Sequence, residues 1–225
     1  MKVEKNLEKI RMQIREACEK SDRSVEDIKI IAVTKYVTTN RALEALEAGV
    51  THLGENRDDG LLEKWEVLKD KPTWHFIGSL QTRKVKNIID KVDYIHSLDR
   101  ISLAKEIDKR AENPINCFIQ VNVSGEESKQ GMPPEKVSEF VSSLGELSNI
   151  KIAGLMTMAP YTSEENVLRS CFRKLNALQK EIQQMGLDYA PCTELSMGMS
   201  NDFRIAIEEG ATMVRIGTAL VGEEE

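Results

Sequence analysis

A lysine follows directly on an apolar segment near the start of the chain. Five of the seven residues in Ile28–Thr34 are branched or small apolar side chains, which is the composition of a buried strand, and Lys35 comes next. A lysine in this position is often a solvated charge or an ion-pair partner. At the mouth of a barrel, however, burial disfavours the ammonium form and leaves a nucleophilic amine. Such an amine forms a Schiff base with a carbonyl compound.

Two segments near the end of the sequence could hold a phosphate group. The segment SMGMSNDF leads into a helical pattern, where Ser200 offers a hydroxyl and residues 198–201 offer backbone N–H groups. Further on, Gly217 and Thr218 follow the last apolar run. Either segment alone could equally be a helix cap or a turn. Lys35 could therefore serve a sugar aldehyde, a keto acid or the aldehyde of pyridoxal 5'-phosphate (PLP), and a permanent phosphate site favours the last.

Eight apolar runs must position these residues. They are Ile28–Thr34, Thr51–Leu53, Trp74–Gly78, Tyr94–Ser97, Asn116–Val123, Ile152–Met156, Cys192–Ser196 and Met213–Ile216. The helical patterns between them are Asn40–Ala48, Asp58–Lys69, Thr82–Asp90, Ile101–Ala111, Pro134–Leu144, Glu164–Met185 and Asp202–Glu209. This alternation predicts an α/β fold, a (β/α)8 TIM barrel formed by residues 1–225 as a single domain. An open doubly wound sheet is less favoured, because no glycine-rich dinucleotide loop follows the first strand.

A closed barrel would bring the lysine and the phosphate segments together. The carboxyl ends of its strands share one face, and the loops after strands seven and eight frequently bind one phosphate. Strand one neighbours strand eight when the barrel closes. Lys35 and the segments around Ser200 and Gly217 would then lie within the span of one small molecule.

The first 21 residues predict an amphipathic helix. Apolar residues recur every three to four positions, at Val3, Leu7, Ile10, Ile14 and Ala17, and charges lie between them. We expect neither a leader peptide nor a membrane span from this pattern. Only nine residues follow the last strand, too few for a full eighth helix, so we expect the amino-terminal helix to pack on the barrel at that gap.

The composition argues against several classes of function. The 31 basic and 37 acidic residues give a net charge of -6, so we expect no general affinity for nucleic acid or for an anionic membrane. The four cysteines form no CxxC pair, which suggests reduced thiols in a cytoplasmic protein. We expect Cys192 to be a buried structural residue in a strand near the phosphate loop. The three histidines lack metal-ligand spacing, so packing or hydrogen-bonding roles are expected and no metal site is predicted.

Seven segments of the chain carry a resemblance to a known family. IIAVTKY, HLGENR, WHFIGSLQTRKVK, QVNVSGEESKQG, GLMTMAP, LSMGMSNDF and GATMVRIGTAL follow one another from Ile30 to Val221. Together they resemble the successive signature segments of the pyridoxal phosphate homeostasis proteins. That family consists of single-domain barrels similar to the amino-terminal domain of alanine racemase.

The resemblance implies a set of residues that bind PLP. Lys35 matches the lysine that holds PLP as a Schiff base, and Asn56 matches a polar residue near the cofactor ring. Ser200, Gly217 and Thr218 match the phosphate-holding positions, with assistance from the backbone of Met199. Arg215 matches the arginine that faces the pyridine nitrogen in relatives of alanine racemase.

The same resemblance argues against a full racemase. Arg215 only donates hydrogen bonds, so it favours an unprotonated ring nitrogen and a weaker electron sink. Alanine racemase also has a second, β-rich domain that supplies a catalytic tyrosine, and no such domain is recognised here. Tyr36 follows Lys35, but strand alternation would place the two side chains on opposite faces if the strand continues through them. We therefore assign no catalytic residue.

Three functions remain open at this point. The favoured one is a PLP-binding homeostasis protein, a monomer that buffers the cofactor and delivers it to apo-enzymes without turnover. The second is a minimal PLP-dependent amino-acid racemase or decarboxylase. The third is an aldolase without cofactor, in which Lys35 reacts with a sugar phosphate or a keto acid.

Overall fold

Eight parallel strands form a closed barrel in which each strand pairs with the next along the chain and the last pairs with the first. This computed structural model describes residues 2–126 and 128–222. The strands are β1 Lys29–Val33, β2 His52–Glu55, β3 Thr73–Phe76, β4 Tyr94–Leu98, β5 Ile115–Gln120, β6 Ile150–Met156, β7 Glu194–Ser196 and β8 Met213–Ile216. The predicted (β/α)8 barrel is confirmed.

The helices lie outside the strands. They are α1 Lys2–Ser21, α2 Thr39–Glu47, α3 Asp58–Leu68, α4 Val85–Ile88, α5 Ile101–Arg110, α6 Val137–Ser143, α7 Glu165–Gln184, α8 Phe203–Glu208 and α9 Thr218–Val221. Their faces follow the helical period: α7 buries Leu168, Phe172, Leu175 and Ile182, which face the strands. Within the described residues, no helix is both long and apolar enough to cross a membrane.

Two apolar clusters form the core. The larger one joins the helices to the outer side of the strands. The smaller one consists of Ile31, Phe118, Met156 and Met213, with Tyr94 packed against it, and all of its members come from strands. We assign this smaller cluster to the interior of the barrel, which is filled by side chains as in other eight-stranded barrels.

Helix α1 lies against α8 and α9, with further contacts to α2. Asn6 Nδ2 donates to the carbonyl oxygen of Leu220 at 3.0 Å. Just after the helix, Arg23 Nη1 donates to the carbonyl oxygens of Ile207 and Ala211, both at 2.7 Å. The helix therefore covers the place that a longer helix after β8 occupies in a regular barrel.

Four strands, β1, β3, β5 and β7, are shorter in the structure than predicted, and β5 and β7 show why. Strand β5 ends at Gln120, and beyond it Val121 makes only an isolated bridge with Met132. The prediction that Cys192 lies in a strand near the phosphate loop is wrong. Its φ of 48° is incompatible with a strand, and it precedes the amino end of β7, on the side away from the loop that follows this strand. Burial raises the pKa of the Cys192 thiol to about 12.

Candidate functional site

Lys35 lies in a turn two residues beyond the end of β1 and is half-buried. The backbone before it is fixed by Thr34, whose N–H donates to Gly54 O at 3.0 Å and whose Oγ1 donates to Glu55 Oε1 at 2.5 Å. Glu55 also pairs with Lys64 at 3.1 Å. Burial raises the pKa of Glu55, while Thr34 and Lys64 oppose that shift. The backbone that carries the lysine is thus fixed by buried hydrogen bonds.

Tyr36 lies beside the lysine rather than on the opposite face. Because β1 ends at Val33, strand alternation does not extend to residues 35 and 36. The Nζ atom of Lys35 is 5.1 Å from the centroid of the Tyr36 ring, and that ring is 81% exposed. The expectation that the two side chains point apart is wrong.

A cavity of about 210 Å³ opens beside Lys35 at the carboxyl ends of the strands. It is lined by Val33, Lys35, Ala159, Pro160, Tyr161, Thr162, Met199, Ser200, Asn201, Asp202, Arg215, Gly217 and Thr218. Six of the seven residues assigned to PLP from the sequence therefore meet in one cavity. A second cavity, of about 190 Å³, lies beside Tyr36 and also touches Lys35, Gly217 and Thr218.

The loop between β7 and α8 forms one wall of the cavity. It begins at Gly198, which has a φ of 92° and packs so closely on α8 that an added Cβ would lie 2.6 Å from Ala206 Cβ. The Met199 N–H donates to Asp202 Oδ1 at 2.6 Å and is thereby engaged within the loop. The N–H groups of Ser200 and Asn201 have no acceptor in the described part of the chain. They remain available to a ligand.

The segment after β8 forms the adjacent wall. Gly217 O accepts from the N–H groups of Leu220 and Val221, at 2.8 and 3.0 Å, which closes the short helix α9. The Gly217 N–H has no acceptor among residues 2–126 and 128–222. The cavity therefore combines an amine, the hydroxyls of Ser200 and Thr218, and several backbone N–H groups, a donor set suited to a phosphate.

Arg215 enters the cavity from β8 and is almost completely buried. Its Nη1 donates to Ser196 Oγ at 2.5 Å and its Nη2 donates to Thr157 O at 2.9 Å. Burial lowers the pKa of the guanidinium to about 10, although Asp202 opposes this shift. Burial also raises the pKa of Asp202, which Met199 and Arg215 oppose. Both side chains are thus buried and held in place where they line the cavity.

Asn56 follows β2 and does not line the cavity. Its carbonyl oxygen lies against the loop after β3, where an added Cβ at Gly78 would be only 2.0 Å away. No other residue fits at position 78 without moving one of the two loops. The structure therefore places Asn56 on the same face of the barrel as Lys35 but outside the cavity beside it.

Several cavity residues were not predicted from the sequence. Ala159, Pro160, Tyr161 and Thr162 come from the loop after β6, and Tyr161 is 96% exposed. The segment MTMAP at the end of that strand was the available signal. Thr157 and Ser196 were also not predicted. They fix Arg215 through contacts between distant parts of the chain, which residue types alone do not reveal.

Comparisons with known proteins identify relatives over nearly the whole chain. The sequence model described as the alanine racemase N-terminal domain matches residues 6–225. The pyridoxal phosphate homeostasis protein of Aquifex aeolicus is 46% identical over 223 residues, which cover 97% of each chain.

Solved structures also include relatives that match nearly the whole chain. PipY of Synechococcus elongatus, solved with PLP bound, is 30% identical with a TM-score of 0.84 and covers 98% of this chain and all of that one. An alanine racemase of Clostridium difficile has a TM-score of 0.79 at 16% identity and covers 97% of this chain and 56% of its own. The likeness to the racemase concerns the fold alone.

Proposed function

The chain belongs to the family of pyridoxal phosphate homeostasis proteins, and from that premise we propose that it carries PLP as a Schiff base on Lys35 and serves intracellular PLP homeostasis. The observation that supports this most strongly is the shared cavity. There the Lys35 amine lies with the hydroxyls of Ser200 and Thr218 and the backbone of Gly217. The PLP-bound structure of PipY supports the same assignment.

The residues of the cavity suit the two ends of this cofactor. PLP supplies an aldehyde, which condenses with an amine with loss of water, and a phosphate dianion. Lys35 provides the amine. Ser200, Thr218 and the N–H groups of Ser200, Asn201 and Gly217 provide neutral donors for the phosphate. Arg215 supplies a fixed positive charge in the wall, and Met199 contributes the backbone that closes the loop.

We further propose that bound PLP is released to apo-enzymes. A Schiff base is hydrolysed when water reaches it, and Lys35 is only half-buried. The cavity rim consists of exposed groups, including Tyr161, Met199 and Thr218. An amine reachable from the solvent on this side suits exchange of the cofactor better than a sealed reaction chamber does.

Turnover of amino acids is the alternative, and we propose that the chain lacks it. The donor-only guanidinium of Arg215 favours an unprotonated ring nitrogen, which stabilises a substrate carbanion less strongly than a protonated one. Relatives of alanine racemase share the matching arginine, so it lowers the expected rate of turnover and the decision rests on measured exchange of the α-hydrogen. One observation favours the alternative: the ring of Tyr36, which carries an ionisable hydroxyl, lies beside the Lys35 amine, 5.1 Å from Nζ to the ring centroid. Its 81% exposure leaves it in water, where its proton transfer is not directed.

The first test is the visible absorbance of the purified protein before and after borohydride reduction, with Lys35→Ala alongside. Lys174→Ala is the matched control, because Lys174 is an exposed lysine at a separate cavity on the same rim. We expect a yellow protein, loss of the colour on reduction, and a covalent label on Lys35. The Lys174 variant should behave like the unmodified protein.

The outcomes separate the three functions. A colourless protein that takes up no added PLP would overturn the proposal. Lys35 would then have to be tested as the amine of an aldolase without cofactor. If PLP is bound, exchange of the α-hydrogen of amino acids in deuterated water distinguishes the remaining two. Exchange that disappears in Tyr36→Phe would establish the racemase-type alternative. Absence of exchange, with transfer of PLP to an apo-enzyme, supports homeostasis without turnover.

We also propose that the protein acts as a monomer in the cytoplasm. Among residues 2–126 and 128–222, the closed barrel leaves no strand edge for pairing with a second copy. All four cysteines are buried and reduced, which suits a reducing compartment. Sedimentation equilibrium at two protein concentrations should give the mass of one chain, and a mass that rises with concentration contradicts the monomer.

A further inference from the structure

Three histidines and a serine form one hydrogen-bonded chain inside the barrel. His52 Nδ1 lies 2.9 Å from His75 Nε2, and His75 Nδ1 lies 2.8 Å from His96 Nε2. His96 Nδ1 lies 2.9 Å from Ser196 Oγ, which also accepts from Arg215 Nη1. We call these four residues the histidine chain. It leads from the amino-terminal end of β2 to the arginine in the wall of the PLP cavity.

The surroundings fix the planes of the rings. His75 and His96 are completely buried. His75 stacks on Tyr94, with ring centroids 4.6 Å apart, and His96 stacks on Phe118 at 4.3 Å. Burial lowers the pKa of both histidines well below the ordinary value, so the rings are neutral near pH 7. Each ring therefore carries one N–H donor and one nitrogen lone pair.

Because each neutral ring has one donor and one acceptor nitrogen, the hydrogen bonds of the histidine chain can all run in only two ways, either away from Ser196 or towards it. In one, Ser196 Oγ–H donates to His96 Nδ1, and each ring donates from Nε2 to the next, ending at His52. In the other, each ring donates from Nδ1, and His96 donates to Ser196 Oγ. The half-buried His52 can meet water in both cases. The end at His52 therefore does not decide between them.

The hydrogen bonds at the other end, between Ser196 and Arg215, decide between the two directions of donation. A guanidinium has no acceptor, so Arg215 always donates to Ser196 Oγ. If His96 also donated to that oxygen, the buried hydroxyl hydrogen of Ser196 would have no acceptor in the described part of the chain. A buried donor without a partner is strongly disfavoured. Only the direction that starts at Ser196 satisfies every group.

We propose that His52, His75 and His96 all carry their hydrogen on Nε2, and that this fixed chain positions Arg215 by turning a lone pair of Ser196 Oγ towards its guanidinium. The histidines and Ser196 are thus positioning residues that need not touch a ligand. The consequence for ligand binding rests on the proposed function, whereas the hydrogen positions belong to the ligand-free protein.

Nitrogen NMR of the histidine rings tests the direction without any ligand. The chain has only three histidines, so single substitutions assign each ring. At pH 7.5 we expect unprotonated Nδ1 and protonated Nε2 signals for all three. A protonated Nδ1 on His75 or His96 in the unmodified protein overturns the proposal.

A second buried serine, on β4, gives a matched control. Ser196→Ala removes the donor to His96, so the Nδ1 signals of His96 and His75 should move towards a mixture of both tautomers. Ser97→Ala should leave them unchanged, because Ser97 Oγ is also buried but has no hydrogen-bond partner among the described residues. Unchanged signals in Ser196→Ala would show that this serine does not set the direction.

PLP affinity tests the positioning of Arg215. Ser196→Ala and His96→Leu should each weaken PLP binding about tenfold, the effect of losing one hydrogen bond to a charged group. His96→Asn should stay within about twofold of the unmodified protein, because its amide oxygen can accept from Ser196 near the position of Nδ1. Equal weakening by His96→Asn and His96→Leu, or no effect of any variant, overturns positioning. Failure of the unmodified protein to bind PLP contradicts the proposed function instead and leaves the NMR result intact.

Discussion

The wall of the cavity depends on a glycine that is not itself one of the residues lining the cavity. Gly198 turns the chain out of β7 with a φ of 92°, in the region that favours glycine. Its Cα also lies directly on α8, where Phe203 Cα would be 2.9 Å and Ala206 Cβ 2.6 Å from an added Cβ. Two separate constraints, conformation and space, therefore exclude a side chain at this position.

We expect Gly198→Ala to lower the free energy of unfolding by about 2–4 kcal/mol, from backbone strain and overpacking together. Gly186→Ala is the control for strain alone, because Gly186 has a φ of 63° with nothing near an added Cβ. It should cost about 1 kcal/mol. Urea unfolding of both variants measures the difference. Equal losses would mean that α8 moves away at no cost.

At the scale of the elements, α1 packs on the barrel beside the short helix α9. It buries Val3, Leu7, Ile10 and Ile14 and holds the end of α9 through Asn6. Because α9 begins directly after Gly217, a contact made by the first helix supports the segment proposed to bind the phosphate. The two ends of the sequence thus cooperate in one part of the fold.

Leu7→Ala should therefore lower the free energy of unfolding by about 2–5 kcal/mol. It should also accelerate hydrogen exchange at the amides of Leu220, Val221 and Gly222, which close α9. Met12→Ala, on the exposed face of the same helix, should change stability by less than about 0.5 kcal/mol. Protection of α9 that is unaffected by Leu7→Ala would show that α1 does not support it.

The sequence predicted the elements better than their ends. All eight strands follow from apolar runs, because a strand that is covered on both faces needs apolar side chains along its length. The start of β7 was predicted two residues too early, because Cys192 is buried like a strand residue but has a positive φ. Burial is encoded in the residue type, whereas that dihedral angle results from the tertiary fold.

For the whole molecule, the buried histidines couple stability to pH. Burial lowers the pKa of His75 and His96 well below 6.5 and lowers that of His52 as well. The folded protein keeps the rings neutral, whereas the unfolded chain protonates them as the pH falls through about 6.5. Below that pH the unfolded state binds more protons, so the free energy of unfolding decreases on acidification.

We expect urea unfolding at pH 8, 7 and 6 to give a loss of stability that begins near pH 6.5. Each histidine contributes a slope of up to about 1.4 kcal/mol per pH unit. Glu55 acts in the opposite sense, because its pKa is raised. His96→Asn removes one titrating ring and should give a shallower slope. A free energy of unfolding that is constant or rises towards pH 6 contradicts this prediction.

The site was predictable only in part. Lys35, Ser200, Gly217 and Thr218 were predicted because their types and their places at strand ends suggest an amine and a phosphate site, and the structure places all four in one cavity. The partners of Arg215 were not found, and the hydrogen-bonding role expected for the histidines had no partners assigned. His96 and Ser196 are 100 residues apart in sequence, and neither forms part of a local motif. Hydrogen bonds between distant strands emerge only when the barrel closes.

Closure of the barrel also sets the moment at which the cavity comes into existence. Lys35 follows the first strand. Arg215 lies on the last strand, which pairs with the first, and Gly217 and Thr218 come directly after it. At roughly 5–20 residues per second, a ribosome makes β8 some tens of seconds after β1. Throughout that interval the nascent chain has Lys35 but not the cavity beside it. A growing chain therefore cannot withdraw PLP from the cell until its own translation is almost complete.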